Sequence, residues 1–367
     1  MLPSDQQLDI KALSKLFTNT TNSYKLLFFM AILNHVKTSE SQASTKICVS
    51  ELTEHMLYLA AYPIRYFNLN FGLQDQMESH LSSLSIDELK VLTPKIAPAL
   101  NEKIHRAFAN SSAKELENYV PFRLLQPFFS SELKGLNDVE KNDKTFELAK
   151  QYFDERKPLY KLEKCKQELF LILHPLWLKY LHQNYSIVRA WAEFAWVSYL
   201  QRKNPNSPNI ICKILPPLAR TQLTAQRKIW DEFLQIHTVS CIYSDEQLNP
   251  GEYDLDHFIP WSYIGHDQHW NLIPASALAN GQKSNSLPHV DYFDKFCVLQ
   301  NQYFSFLHAN NMRAACEDYV SGLNASLTAL TSEQTFRGRL RATITNLCSM
   351  AQLQGFTPDW KFGIDAV

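Results

Sequence analysis

The sequence predicts a mainly α-helical protein with one short strand–strand–helix unit embedded in its last third. Apolar residues recur at helical spacing over most of the first two hundred positions. Glycine is scarce, at 9 of 367 residues, and one stretch near residue 250 switches to period-two alternation among β-branched and aromatic residues. Hydrophobic residues at 45% and charged residues at 20% describe a globular chain with filled cores, and the length allows two or three domains.

The elements follow in order. SYKLLFFMAILNHV (23–36), SELTEHMLYLAAYPIRYF (50–67), ELFLILHPLWLKYL (168–181) and IVRAWAEFAWVSYLQRK (187–203) carry helical apolar spacing, with Ser50 as an N-cap. These segments predict an α-helical amino-terminal domain over 1–217, a sensing or a DNA- or partner-binding region. Pro205, Pro208, Pro216 and Pro217 disfavour helix at the residues before them and mark its end. A helix over 220–237 then leads into TVSCIYSDEQLNPGEYDLDHF (238–258), two strands around an Asn249-Pro250-Gly251 turn. PASALANGQKS (274–284) predicts a short helix with Pro274 in its first turn and Gly281 near its end. Helical spacing returns from Tyr292, so 218–290 reads as the small unit and 291–367 as a helical cap.

Charge excludes a globally basic protein: 36 Lys and Arg stand against 37 Asp and Glu, for a net charge of -1. Basic residues cluster locally instead. Residues 201–230 hold Arg202, Lys203, Lys213, Arg220, Arg227 and Lys228 with no acid, a candidate nucleic-acid surface, although a solvated linker and helix face would read the same way. Seven cysteines, odd in number and never spaced C-x-x-C, argue for reduced thiols in a cytoplasmic protein. The amino terminus lacks a signal-peptide pattern, and the apolar run 26–33 is far shorter than the roughly 20 residues that span a bilayer, so no membrane partner is expected.

The chemistry gathers around YDLDHFIP (253–260). Period-two pleating puts Asp256 and His257 on opposite faces near a strand end, and Asp254 on the face of Asp256, as an extra ligand or an exposed carboxylate. A bare Asp-His pair is common and proves little alone. Reading on to residue 288, Asn271 falls in a loop and Asn280 on the short helix, which the strand–strand–helix order would fold back beside Asp256. His266 and His269 read as ordinary loop histidines, and Trp261 and Trp270 as closing a small core.

The run Asp254, Asp256, His257, Pro260, Asn271, Asn280, Lys283, Ser284, Leu287 and Pro288 resembles the HNH, or ββα-metal, endonucleases. It is most similar to the variant whose last motif residue is Asn, as in the HNH module of RNA-guided CRISPR effector nucleases. The resemblance covers residues 238–290 and implies a ββα-metal finger embedded in a mainly α chain. Phosphodiester hydrolysis needs a base that titrates near neutrality and a hard cation on the leaving oxygen. His257 is accordingly the expected base, with Asp256 and Asn280 holding Mg²⁺ or Mn²⁺. The resemblance further implies that Asn271 bridges backbone groups to orient His257, and that the products carry a 5′-phosphate and a 3′-hydroxyl. Lys283, one helical turn beyond Asn280, is the expected phosphate contact. Many relatives carry C-x-x-C pairs for a structural zinc; here Cys241 stands three residues before Ser244, so no structural zinc is expected.

The combined expectation is an endonuclease acting on double-stranded DNA through residues 202–228 and Arg337, Arg339 and Arg341. Low overall basicity implies weak binding alone, hence activation by a protein or ligand at the amino-terminal domain, or by oligomerisation, with the oligomeric state left open. SYKLLFFMAIL and WVSYLQRKNPNSPNIICKILPP resemble stretches of uncharacterised bacterial HNH proteins in defence neighbourhoods, which implies restriction or anti-phage defence. An RNA-cleaving toxin and a catalytically inactive nucleic-acid-binding scaffold are the alternatives.

Overall fold

The computed structural model describes residues 2–38, 46–82, 97–215 and 223–363. Arg220 and the Pro216-Pro217 pair lie outside the described residues. The chain divides into two compact units, residues 1–205 with 210–219, and residues 206–209 with 220–367. Helix predominates in both, and no described helix is long and apolar enough to cross a membrane.

The first unit opens with α1 (Ile10–Ser14) and α2 (Tyr24–Thr38), followed by β1 (Lys46–Cys48), α3 (Val49–Ala61), α4 (Met77–His80), α5 (Ala97–Ala109), α6 (Val120–Leu125) and α7 (Asp138–Gln151). It continues through β2 (Tyr160–Cys165), β3 (Glu168–Leu173), α8 (Pro175–Gln183) and α9 (Tyr185–Lys203). α2 is its centre: Leu26 to Leu33 are all buried, because an apolar run without polar interruption can only satisfy every face inside a core. α7 starts at a full capping box, Asn137 with Glu140.

Three expectations fail in this unit. It is not all-α, because β1, β3 and β2 form an antiparallel sheet in that order. Residues 168–173, read as helix, are the strand β3, paired so that Tyr160 faces Leu173 and Cys165 faces Glu168. A six-residue apolar run has no decisive period, and its flanks decide: Lys166 turns the chain at φ 55°, and Pro175 bars helix at His174. Ser50 is not the cap, since α3 begins at Val49 and Cys48 occupies the capping position.

The second unit runs α10 (Thr224–Ile236), β4 (Val239–Ser240), β5 (Gln247–Leu248), β6 (Asp254–His257), α11 (Trp261–Ile264), β7 (Leu272–Ala275) and α12 (Ala277–Lys283). α13 (Asp291–Ala309), α14 (Arg313–Gly322), α15 (Leu327–Leu330) and α16 (Glu333–Leu353) complete it. The strand pairing differs from the expected hairpin around Asn249-Pro250-Gly251. β4 pairs with β5 across residues 241–246, while β6 pairs antiparallel with β7, Asp256 opposite Ile273 and His257 opposite Leu272. Pro274 therefore sits in β7 and not in a helix; α12 starts after Ser276, whose hydroxyl accepts from the Ala279 amide. β6, β7 and α12 make the ββα unit. Its apolar side shares one core with α10 and α13: Trp230 stacks on Tyr303 with centroids 3.6 Å apart, and Phe258 stacks on Phe296 at 3.8 Å.

Candidate active site

β6 and α12 together position the polar residues. Asp254 and Asp256 share one face of β6, as pleating dictates, and Asn280 and Lys283 share one face of α12. The two faces meet in register. Asn280 Nδ2 donates to Asp254 Oδ2 at 3.1 Å, and Lys283 Nζ donates to Asp256 Oδ1 at 3.0 Å and to the His257 carbonyl at 2.7 Å. The carboxylate beside Asn280 is thus Asp254, where the sequence suggested Asp256. Both Asp256 oxygens are engaged, because the Tyr243 hydroxyl donates to Oδ2 at 2.6 Å. Burial first, and then the Asp256 charge, raise the Tyr243 phenol well above its ordinary range, which keeps it a donor.

Lys283 departs from its expected role as a surface phosphate contact: its side chain is fully buried. It does share a face with Asn280, but that face packs on β6, so the ammonium neutralises a buried carboxylate.

His257 points to the other face of β6. Its Nε2 lies 2.8 Å from Asp267 Oδ1. A carboxylate only accepts, so Nε2 carries the proton in this contact and Nδ1 is the basic nitrogen. Asn271 is fully buried and bridges Ile259 from both ends: its Oδ1 accepts from the Ile259 amide and its Nδ2 donates to the Ile259 carbonyl, each at 2.9 Å. The bridge locks the chain two residues after His257. Gln300 of α13 adds a bond to the Leu272 carbonyl at 2.7 Å, tying the strand opposite His257 to the helical core.

His266 stands nearby, pushed down to about 4 chiefly by burial and secondarily by His257. His269 is a structural residue: its amide donates to Asp318 at 2.9 Å and its Nδ1 lies 3.1 Å from the Tyr303 hydroxyl.

Sequence reasoning missed Asp267 and Tyr243. Asp267 reaches His257 because Gly265, at φ 72°, ends α11 in the left-handed conformation and turns the loop back. A glycine closing a short helix before a His-Asp pair was the available signal. Tyr243 carried none, since its contact depends on how residues 241–246 turn.

The basic segment is divided. Arg202 and Lys203 lie exposed at the end of α9 in the first unit, and Lys228 lies exposed on α10 in the second. Arg227 is half-buried, bonded to the Tyr253 carbonyl with its guanidinium 5.0 Å from the Tyr253 ring centroid. Lys213 is fully buried, and burial pushes its ammonium down to about 7, which removes it from any phosphate-binding surface. On α16, Arg337 pairs with Glu333 and Arg341 with Asp294, while Arg339 is exposed.

Among the described residues no three His, Cys, Asp or Glu side chains converge on a metal position. A hard divalent cation asks for less: one or two protein oxygens, with water completing the shell. Half-buried Asp254 and Asn280, side by side, supply such oxygens, so the donor set fits Mg²⁺ or Mn²⁺. No curated protein and no solved structure matches the chain significantly. Residues 241–289 match the family described as HNH endonuclease, a span that holds β5, β6, β7 and α12 and every polar residue of the β6–α12 face. With the antiparallel β6–β7 pair and α12 packed across it, the chain carries a nuclease domain of the HNH endonuclease family.

Proposed function

We propose that the chain is a divalent-metal-dependent endonuclease that hydrolyses DNA phosphodiester bonds, with His257 as general base. The observation that carries this is the 2.8 Å contact between His257 Nε2 and Asp267, which leaves Nδ1 to take a proton from the attacking water. Asp267 holds the ring and stabilises the imidazolium that forms, and the Asn271 bridge fixes the backbone that carries it. Asn280 and Asp254 would hold Mg²⁺ or Mn²⁺, with Asp256, the ligand expected from the sequence, held beside them by Lys283 and Tyr243. The cation, when bound, supplies charge stabilisation at the leaving 3′-oxygen. Exposed Arg202, Lys203, Lys228 and Arg339 are the proposed phosphate contacts, and double-stranded DNA the proposed substrate. Restriction or anti-phage defence, with activation by a protein or ligand, is the proposed setting.

The test is nicking of supercoiled plasmid by purified protein with Mg²⁺ or Mn²⁺, beside an EDTA lane and structured RNA. His257→Ala should lower the rate by about 10²–10⁴-fold, and Asn280→Ala should abolish the metal-dependent nicking. Cleavage undiminished in His257→Ala would remove this assignment. A second reading, an inactive nucleic-acid-binding scaffold, is favoured by one observation, the commitment of Asp256 to Lys283 and Tyr243. Binding without cleavage under every metal would select it.

A further inference from the structure

The first unit holds a polar cavity of about 160 Å³ where the start of α2 meets α6 and α7. Two cations line it. Lys25, the second residue of α2, sends its ammonium to the Asn19 carbonyl at 3.3 Å, and no carboxylate pairs with it among the described residues. Arg123 of α6 stands opposite, its guanidinium 5.0 Å from the Tyr119 ring centroid and 3.0 Å from Asp138. Thr20 and Thr21 add hydroxyls to the wall. The wall itself carries two cations against one carboxylate, with the Asp75 carboxylate behind it close enough to act on the Tyr24 and Tyr119 phenols.

The arrangement costs free energy as it stands. Burial first, and then the Arg123 charge, pull the Lys25 ammonium below its ordinary range. Lys25 is half-buried beside a second cation, and an anion bound between the two relieves their repulsion. Size narrows the choice. At roughly 30 Å³ per water, the cavity holds about five waters' volume, well below the roughly 300 Å³ at which drug-sized ligand pockets begin. One tetrahedral anion fits, with anything attached to it left at the mouth.

We propose that this cavity binds a single phosphate group, either free or as the terminal phosphate of a nucleotide or a nucleic-acid strand. Lys25 and Arg123 bind the anionic oxygens, the threonine hydroxyls donate to them, and Asp138 opposes the anion and tunes the affinity. The site uses no residue of the nuclease domain.

The experiment is isothermal titration of the full chain in EDTA, so that no metal at the nuclease domain can hold phosphate. Inorganic phosphate, a nucleoside 5′-monophosphate, the parent nucleoside, and one oligonucleotide with a 5′-phosphate or a 5′-hydroxyl are the ligands. Saturable binding of phosphate-bearing ligands is expected, at least tenfold weaker in Lys25→Met and in Arg123→Met. Asp138→Asn should bind at least threefold tighter, a gain that misfolding cannot produce. Binding of inorganic phosphate or the mononucleotide assigns a small-molecule ligand, and binding confined to the phosphorylated oligonucleotide assigns a strand end. The absence of saturable binding in the wild type, or binding equal in both cation variants, overturns the proposal.

Discussion

At Asp256 the chain buries a carboxylate and a lysine together, and the physics of that pair governs what substitution does. Removing one partner strands the other charge away from water, which costs about 3–5 kcal/mol, whereas removing both charges is far milder. Lys283→Met should therefore destabilise the second unit by about 3–5 kcal/mol, and Asp256→Asn combined with Lys283→Met should recover more than half of that loss in urea denaturation. Additive single-variant losses would mean that the two side chains do not act as a pair. The same residues show what the sequence could say about the site. Asp256, His257, Asn271 and Asn280 were legible because a compact motif fixes their order. The ionic pairing of Lys283, the support from Asp267 and the hydroxyl of Tyr243 were not, because each arises only when separate elements meet.

Elements transmit such constraints through close packing and shared polar groups. Gly322 ends α14 against the Trp270 indole, and a Cβ there would stand 2.3 Å from Nε1, which itself donates to Gln268 at 2.7 Å. Gly322→Ala should displace the indole and the Gln268–Asn271 turn, destabilising the protein by about 1–3 kcal/mol with loss of nicking; an unchanged melting temperature would contradict this. In the first unit, α2, α3 and α9 share a polar chain. Arg189 donates to Asn34 Oδ1 at 2.6 Å, so the Asn34 amide nitrogen faces His55 Nε2 at 2.7 Å, and His55 must accept as a neutral ring. Burial, then Arg189, push His55 down to about 4. With the folded value below the unfolded one near 6.5, the unfolded chain binds the proton first. The contribution is whole above pH 6.5 and fades as pH falls toward 4, reaching about 2 kcal/mol lost at pH 5. Denaturation at pH 7.5 and pH 5 should show this drop in the wild type and a smaller one in His55→Gln.

The whole molecule is two units with separate cores, and in the second the small ββα fold shares its core with α10 and the helices that follow it. Helix dominance and the ββα order were legible from periodicity, but the partner of β6 was not: Leu272-Ile273-Pro274-Ala275 has no alternation, because every one of its residues is buried. That burial comes from later chain. Trp230, Phe258 and Trp270 close against Tyr303, Phe296 and Gly322, and the segment after α12 bonds residues 357–360, with the Leu287 amide donating to the Thr357 carbonyl at 2.8 Å and Trp360 returning to the Leu287 carbonyl at 3.0 Å. A fragment cut after residue 290 would expose this aromatic surface with about 70 residues to compensate, a size at which one small core is marginal. Residues 220–290 alone should accordingly lack near-ultraviolet circular dichroism and a cooperative melt, whereas residues 206–367 should show both. A cooperative melt of the shorter fragment would mean that the finger carries its own core and that α13 to α16 serve another purpose. Metal-dependent nicking by residues 206–367 would place the chemistry wholly in the second unit.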